Sequence, residues 1–451
     1  MSDRPRTQDH LSASSSVSKS SSTPSFVDHI DLNSIASLAT AVRSRTTLSD
    51  DSVACTVNST PKAGSYNVVW FIDFEDNVQW VIRIPKDEWS PMMEKGLRSD
   101  IITMKLIQSR TSIPIPPIHD FSVDTKNVIG RPYILMDRVK GIQLCKLWFD
   151  QKWFTEERRK NVFRSLVFNM MQLRTLEFPA IGCLDYDPKT DSHIVGPLLT
   201  STDEIEDGGT STRGPYNTVH AYLLDDISRQ VSEDPSMDHK ISLSLLRLFA
   251  GALPDESLDG PPFVLHMPDF NYQNIFVDEE GHVTGLIDWD GTQTSPRQGG
   301  YARYPSWITR DWDPLMYGYP RTRTQDDVLS EQEDEMSSNQ EEEDSGVIAT
   351  SIDPSIPSRE ELQEDSPEVL QAFREEYLRA FEEADPVSAN YTRNSHVYEA
   401  IEIAIDSPFL RFGITCRLMD YVFGCRRPGD ELSILLLEEG LRAGDWLSQP
   451  K

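Results

Sequence analysis

Cysteine is scarce in this sequence. Five cysteines are scattered over 451 residues, and no two of them have the Cys-x-x-Cys spacing. An odd number of dispersed thiols argues against a disulfide framework and against a zinc site. We therefore expect all five to be ordinary reduced side chains.

Long apolar runs are also missing. No segment approaches the roughly eighteen apolar residues that a membrane-spanning helix needs, and the N-terminal segment lacks the apolar core of a signal peptide. We expect a chain that has no membrane partner and that resides in the cytoplasm. Asp3 and Asp9 count against a mitochondrial import segment, because such segments are poor in acidic residues.

Positive charge is in short supply. The chain has 43 Lys and Arg residues against 73 Asp and Glu residues, a net charge of −30. Such a chain repels phosphate-rich polymers, so we expect no nucleic acid partner. Ten carboxylates lie between Asp326 and Asp344 without a Lys or Arg among them. This composition predicts a disordered acidic insert over residues 321–358, and the Ser/Thr-rich start predicts a disordered arm over residues 1–46.

The side chains that can carry chemistry concentrate between residues 263 and 291. Two β-type runs, IFV and HVTGLI, flank a polar turn that ends in a glycine, which predicts a hairpin. Asn274 directly precedes the first strand and Asp288 follows the second, so the hairpin would bring both to its open end. Two such oxygen ligands suit Mg²⁺, which takes its other ligands from water and phosphates. Asp269, in the preceding loop, is placed to orient or deprotonate an attacking hydroxyl.

This spacing resembles the aminoglycoside phosphotransferase family of kinase-like enzymes, especially its fungal-type branch. The family pattern is H-x-D-x-x-x-x-N followed by I-D-W or I-D-F, and the positions that match it are Asp269, Asn274, Ile287, Asp288 and Trp289. One position departs from the pattern. Met267 stands where the family has its histidine, and His266 is one place too early. Since that histidine mainly supports the loop, we expect weaker rigidity more than lost chemistry.

The resemblance implies a bilobal protein-kinase-like fold of the α+β class, with a small antiparallel sheet in the N-lobe and a mainly helical C-lobe. We place the N-lobe and hinge at residues 47–138 and the C-lobe at 139–448, with the catalytic loop at 263–291. Helix signals in the C-lobe include a capping residue at Thr155 and another at Ser366.

The N-lobe should supply a cation for the nucleotide phosphates. Arg83, on the strand VIRIP, stands where protein kinases have lysine, although a strand arginine facing solvent is the alternative interpretation. Asp100, on the following helix, occupies the place of the family's glutamate partner; it could equally be an exposed helix acid. The turn at Gly64 and Ser65 would cover the phosphates, unless it is an ordinary hairpin turn.

The strand RPYILMDRVKG is predicted to lead into the hinge. By position and resemblance, the backbone from Met136 through Asp137 to Val139 would hydrogen-bond the adenine of ATP. After the catalytic hairpin comes a segment rich in aromatic residues. In that segment we favour a bracing role for Trp307 and a mixed role for Asp290 and Trp312.

These observations favour an ATP-dependent O-phosphotransferase that uses Mg²⁺ and acts on a small hydroxylated metabolite. The alternative is a catalytically weak or inactive kinase-like binding module, which the departures at Met267, Arg83 and Asp100 would suit. A protein kinase ranks last, because the chain lacks the DFG and A-P-E motifs.

Overall fold

The computed structural model describes residues 26–47, 53–87, 89–199, 213–230, 237–252, 256–314, 317 and 364–423. The predicted acidic insert over residues 321–358 lies outside these described residues, as does the end of the predicted C-lobe, residues 424–448.

A six-stranded antiparallel sheet forms the smaller lobe. Its strands are β1 (Cys55–Val57), β2 (Lys62–Ala63), β3 (Asn67–Phe74), β4 (Gln79–Pro85), β5 (Ile118–Ser122) and β6 (Tyr133–Asp137). They are arranged in the order β1-β3-β4-β6-β5, and β2 pairs with β3. The central pair, β3 and β4, alternates buried and more exposed residues, as expected for strands that pack differently on their two faces.

One helix covers the outer face of this sheet. It is α1 (Leu32–Thr47). Ile35, Ala39 and Val42 recur at helical spacing and join the buried cluster formed by sheet residues such as Trp70 and Ile82. The prediction of a disordered arm over residues 1–46 is therefore wrong from residue 26 onward, because this short apolar stripe has a sheet to cover. Residues 1–25 lie outside the described part.

A long helix, α2 (Pro91–Arg110), connects β4 to the rest of the smaller lobe. The Ser90 side chain accepts a hydrogen bond from the Met93 N–H at 3.2 Å and so caps the helix. Ile101 and Met104 lie on one face of the helix and are buried against the larger lobe. The helix thus carries Asp100 into the region between the lobes.

Helices dominate the larger lobe. They are α3 (Glu156–Met171), α4 (Val219–Arg229), α5 (Met237–Ala252), α6 (Pro367–Ala384), α7 (Pro386–Arg393), α8 (Ser395–Asp406) and α9 (Pro408–Phe423). Both predicted caps are present: Thr155 accepts from the Arg158 N–H, and Ser366 accepts from the Val369 N–H. None of the helices in the described residues is long and apolar enough to cross a membrane.

Short strands complete the larger lobe. They are β7 (Ile142–Gln143), β8 (Cys183–Asp187), β9 (Ser192–Gly196), β10 (Val264–Leu265), β11 (Ile275–Val277), β12 (Val283–Leu286) and β13 (Thr294–Ser295). The predicted hairpin is β11 and β12, and β7 extends it into a three-stranded sheet. Gly281 in its turn has φ +91°, and a Cβ there would lie 2.6 Å from the Arg158 carbonyl oxygen. This turn therefore requires glycine. The α+β bilobal kinase-like fold expected from the sequence is confirmed.

We predict that Ile35→Ala lowers the free energy of unfolding by about 2–4 kcal/mol, since it opens a cavity between α1 and the sheet. Chemical denaturation of the full chain measures the change. Ser37→Ala, on the exposed side of α1, serves as the control and should change the stability by less than about 0.5 kcal/mol. Equal effects of the two substitutions would contradict the packing of α1.

Candidate active site

The open end of the β11–β12 hairpin brings the two predicted metal ligands together. Ile275 pairs with Leu286, and the Ile287 N–H donates a hydrogen bond to the Asn274 carbonyl oxygen at 3.0 Å. Asp288, the next residue, has φ +68°, a left-handed conformation that is rare for a non-glycine residue. Backbone strain of this kind costs on the order of 1–3 kcal/mol and often marks a functional position.

Asp269 lies beside Asn274. The Asn274 Nδ2 donates to Asp269 Oδ2 at 2.7 Å and to the Asp269 carbonyl oxygen at 3.1 Å. Gln273 Nε2 donates to the same carboxylate at 3.0 Å. Because both bonds of Asn274 use its amide nitrogen, its Oδ1 is the atom left for a cation, as the magnesium prediction requires.

Arg83 reaches this cluster from the smaller lobe. Its Nη2 lies 2.5 Å from Asp290 Oδ2 and 3.6 Å from Asp288 Oδ1. Burial works to lower the pKa of the guanidinium, but the attraction of Asp290 and Asp288 outweighs burial, so the pKa of Arg83 is raised. The strand arginine therefore faces the candidate site, and the solvent-facing alternative is wrong.

Asp100 does not take the place predicted for it. Its Oδ1 accepts a hydrogen bond from the Gly291 N–H at 2.8 Å, whereas the ion pairs of Arg83 within the described residues go to Asp288 and Asp290. The physical reason is the short reach of aspartate from α2, combined with a closer acid at Asp290. Burial raises the pKa of Asp100 well above its ordinary value, and Asp290 raises it further.

The predicted phosphate-covering turn lies between β2 and β3. The Gly64 N–H donates to the Asn67 carbonyl oxygen at 2.8 Å, and both Gly64 and Ser65 are exposed. Asn67 Nδ2 lies 3.4 Å from Asp290 Oδ2. The turn therefore ends beside the cluster at Asn67, whose side chain contacts Asp290.

Two N–H groups of the predicted hinge segment are already used by the sheet. The N–H groups of Asp137 and Arg138 donate to the Pro117 and Gln79 carbonyl oxygens at 3.0 Å each. The Asp137 carboxylate pairs with His119 Nε2 at 2.7 Å. These donors are used inside the sheet and cannot serve adenine without breaking it.

Met136 is buried in β6 and pairs in register with both Val81 and Ile118, so it occupies the middle of the sheet. Of the predicted hinge residues, Val139 is the one beyond the strand. A Cβ on Gly285 would lie 2.0 Å from Val139 Cγ1, which shows how closely the hinge packs on the catalytic hairpin.

Aromatic packing supports the catalytic loop. Trp307 stacks on Tyr272 with ring centroids 5.9 Å apart and contacts Phe270 edge-on at 6.3 Å, which agrees with the bracing role. Met267 is 1% exposed and belongs to the core. The loop is thus held by packing at the position where the family pattern has a histidine.

His266, the neighbouring histidine, has a different environment. Its Nδ1 lies 3.0 Å from Ser295 Oγ. Burial, assisted by Arg303, lowers the pKa of His266 to about 3, so the imidazole is neutral. This contact links β10 to β13. His266 therefore does not take the place of the histidine in the family pattern.

Two site residues were missed from the sequence: Asp290, given only a mixed role, and Asn67. The I-D-W-D run does contain a second acid two residues after Asp288. That acid was a usable signal for Asp290, whereas Asn67 had none.

The residues present fit a magnesium site with two protein ligands. No group of three His, Cys, Asp or Glu residues arranged for a metal occurs in the described ranges, but Mg²⁺ at a nucleotide needs only one or two protein oxygens. Asp290 Oδ1 is buried without a hydrogen-bond partner, and burial followed by repulsion from Asp290 raises the pKa of Asp288 to about 6. A cation held by Asn274 and Asp288 would relieve the repulsion that raises the pKa of Asp288.

In a comparison with protein families, the family model described as "Phosphotransferase enzyme family" matches residues 59–314, more than half of the chain. The matched range contains β3 and β4, the hinge and the whole catalytic hairpin.

The curated relatives have low sequence identity to this chain, and each match covers only part of the relative. A Saccharomyces cerevisiae protein, "Altered inheritance of mitochondria protein 9, mitochondrial", is 21% identical over 348 residues, which cover 63% of this chain and 55% of the relative. The protein of the same name from Meyerozyma guilliermondii is 24% identical, with 35% and 26% covered. A subtelomeric hrmA-associated cluster protein of Aspergillus fumigatus is 25% identical, with 30% and 28% covered. The chain spans about a quarter to just over half of these relatives.

Solved structures that align with most of this chain include a macrolide 2'-phosphotransferase type I, with a TM-score of 0.40, 11% identity, and 86% of this chain and 97% of that chain covered. A fructosamine-3-kinase described as putative, from Thermobifida fusca, has a TM-score of 0.38 and 11% identity, with 86% and 100% covered.

The cytoplasmic location expected from the sequence is contradicted by these relatives. The matched proteins from Saccharomyces cerevisiae, Meyerozyma guilliermondii and Debaryomyces hansenii are all named as mitochondrial. Two acidic residues near the N-terminus were a weak criterion, because import segments are characterised by amphipathic, Arg- and Ser-rich composition as well as by few acidic residues.

We predict that Asp288→Asn stabilises the metal-free protein above pH 6. The folded-state pKa of about 6 lies above the ordinary value of 3.8, so ionisation of Asp288 destabilises the fold progressively from pH 4 to pH 6 and fully above pH 6. Since this side chain is 41% exposed, we expect a gain of a few tenths to about 1 kcal/mol at pH 8.

Denaturation in EDTA at pH 8 and at pH 4 measures this effect, with Asp124→Asn as the exposed control. The gain should shrink as the pH falls through 6. A gain that is the same at both pH values would show that charge at Asp288 does not destabilise the fold.

Proposed function

Because the chain belongs to the phosphotransferase enzyme family, we propose that it is an ATP-dependent O-phosphotransferase that acts on a small hydroxylated molecule. The observation that carries the proposal is the convergence of Asp269, Asn274 and Asp288 at one end of a hairpin, with Arg83 facing them from the other lobe. A chain can position ATP and a hydroxyl with such an arrangement, and phosphoryl transfer depends mostly on positioning and electrostatic stabilisation.

In this proposal Asp269 binds the acceptor hydroxyl and takes its proton as the oxygen attacks the terminal phosphorus of ATP. The bond from that phosphorus to the bridging oxygen breaks, and ADP leaves. The carboxylate is oriented by the amide groups of Asn274 and Gln273, which leave one of its oxygens, Oδ1, for the acceptor. A general base of this kind contributes roughly 10²–10⁴-fold to the rate.

Asn274 Oδ1 and the Asp288 carboxylate would hold Mg²⁺, which would neutralise charge on the phosphates. Arg83 would bind phosphate oxygens with its planar donor fork. Val139 would supply the hinge hydrogen bond to adenine. The Gly64–Ser65 turn would lie over the phosphates.

The acceptor is proposed only as a class, a small molecule with a hydroxyl group. The acidic net charge makes a nucleic acid a poor acceptor. The names of the yeast relatives support a mitochondrial setting for this chain as well.

We predict that Asp269→Asn lowers turnover by about 10²–10⁴-fold, because asparagine cannot accept the hydroxyl proton. ADP release with a panel of hydroxylated metabolites measures turnover. Mg²⁺·AMP-PNP binding, measured by calorimetry, should change by less than about threefold, since asparagine keeps the hydrogen bond from Asn274. Asp87→Asn, an exposed aspartate, is the matched control. A collapse of nucleotide affinity in Asp269→Asn would reject the role given to this residue.

A second candidate is a nucleotide-binding module without turnover. The observation that favours it is the state of Arg83, whose charge is already neutralised by Asp288 and Asp290. We predict that millimolar AMP-PNP raises the melting temperature in a Mg²⁺-dependent manner if the chain is an enzyme or a nucleotide-binding module. ADP release then separates these two, and the absence of any shift leaves a module that does not bind nucleotide.

A further inference from the structure

Two acids approach the same cation from different lobes. Asp100 belongs to α2 in the smaller lobe, and Asp290 follows the catalytic hairpin in the larger lobe. Asp290 Oδ2 lies 2.5 Å from Arg83 Nη2, while Asp100 Oδ1 is bonded to the Gly291 N–H. The acid nearest the arginine is therefore Asp290 from the larger lobe, followed by Asp288 at 3.6 Å.

Asp290 also contacts a second strand of the smaller lobe. Its Oδ2 is 3.4 Å from Asn67 Nδ2, at the start of β3. Its other oxygen, Oδ1, is buried and has no hydrogen-bond partner. The Asp290 carboxylate, which follows the hairpin, thus contacts both Arg83 on β4 and Asn67 at the end of the phosphate-covering turn. Its Oδ1 remains available to accept a hydrogen bond.

Resting on the proposed function, we propose that Asp290 is the positioning residue for Arg83. In protein kinases an ion pair between a strand lysine and a helix glutamate holds the phosphate-binding cation in place. Here the geometry assigns that task to Asp290. The guanidinium has donors on two edges, so it can keep Asp290 on one nitrogen and bind a phosphate oxygen with others.

Asp100 acts one step further away. Its hydrogen bond to Gly291 fixes the backbone directly after Asp290. An asparagine could accept the same N–H, so loss of the Asp100 charge need not release Arg83. This difference separates the two acids experimentally.

The test uses the full chain and two double-mutant cycles, Asp290→Asn with Arg83→Gln and Asp100→Asn with Arg83→Gln. Two quantities are measured: ADP release from Mg²⁺·ATP with water as the acceptor, and the Kd of Mg²⁺·AMP-PNP. We expect Asp290→Asn to slow ADP release about tenfold or more, and Asp290→Glu to recover part of the rate. In the Arg83→Gln background, Asp290→Asn should add less than about twofold, whereas the effects of Asp100→Asn and Arg83→Gln should multiply.

Asp76→Asn is the matched control, because Asp76 pairs with Arg43 elsewhere in the smaller lobe. It should not reproduce the slowing of ADP release. If wild-type protein binds AMP-PNP without releasing ADP, the same cycles are measured through the Kd of Mg²⁺·AMP-PNP. An effect of Asp290→Asn on this Kd that depends on Arg83 supports the inference. An effect that is independent of Arg83 overturns it.

Multiplying effects of Asp290→Asn and Arg83→Gln would overturn the inference. So would a raised Mg²⁺ requirement in Asp290→Asn without coupling to Arg83, which would make Asp290 a metal ligand instead. Wild-type protein that neither binds AMP-PNP nor releases ADP would reject the proposed function, and this inference with it. That result is distinct from a failure confined to the variants.

Discussion

The hydrogen bond between the Ile287 N–H and the Asn274 carbonyl oxygen closes the hairpin at the end where the site forms. It sets the register that brings the Asn274 amide and the Asp288 carboxylate side by side at the ends of the two strands. A shift of one residue would turn every side chain of the shifted strand to the other face and would separate the two ligands. Asp269 depends on this bond too, because Asn274 and its neighbour Gln273 orient the Asp269 carboxylate.

The same hairpin also carries the hinge. β7 pairs with β11, Val139 packs over Gly285, and Thr284 donates a hydrogen bond to the Lys140 carbonyl oxygen at 2.7 Å. The proposed adenine contact and the proposed metal ligands are therefore built on one rigid element. Sites fixed in this manner lose little precision to loop motion.

The site is costly to the fold. Several carboxylates surround one arginine, burial raises the pKa of Asp288 to about 6, and that residue has a strained backbone. A strained backbone conformation persists only where several surrounding contacts hold it in place. Here the hairpin register and the Asp100 bond to Gly291 both do so. Under the proposed function, the cation that accompanies the nucleotide would neutralise these carboxylates, and the loss of their repulsion would contribute to the binding free energy.

Local pattern in the sequence determined the hairpin, its glycine turn, the caps at Thr155 and Ser366 and the placing of Asn274 and Asp288, because each depends on neighbours within a few residues. Tertiary structure decided the rest. Arg83 and Asp290 are 207 residues apart. The I-D-W-D run marks Asp290 as a second acid, but only distance in the folded chain decides that Asp290 and not Asp100 pairs with Arg83. The helix α1 was missed for a similar reason: its short apolar stripe is stable only against a sheet that the rest of the chain has to supply.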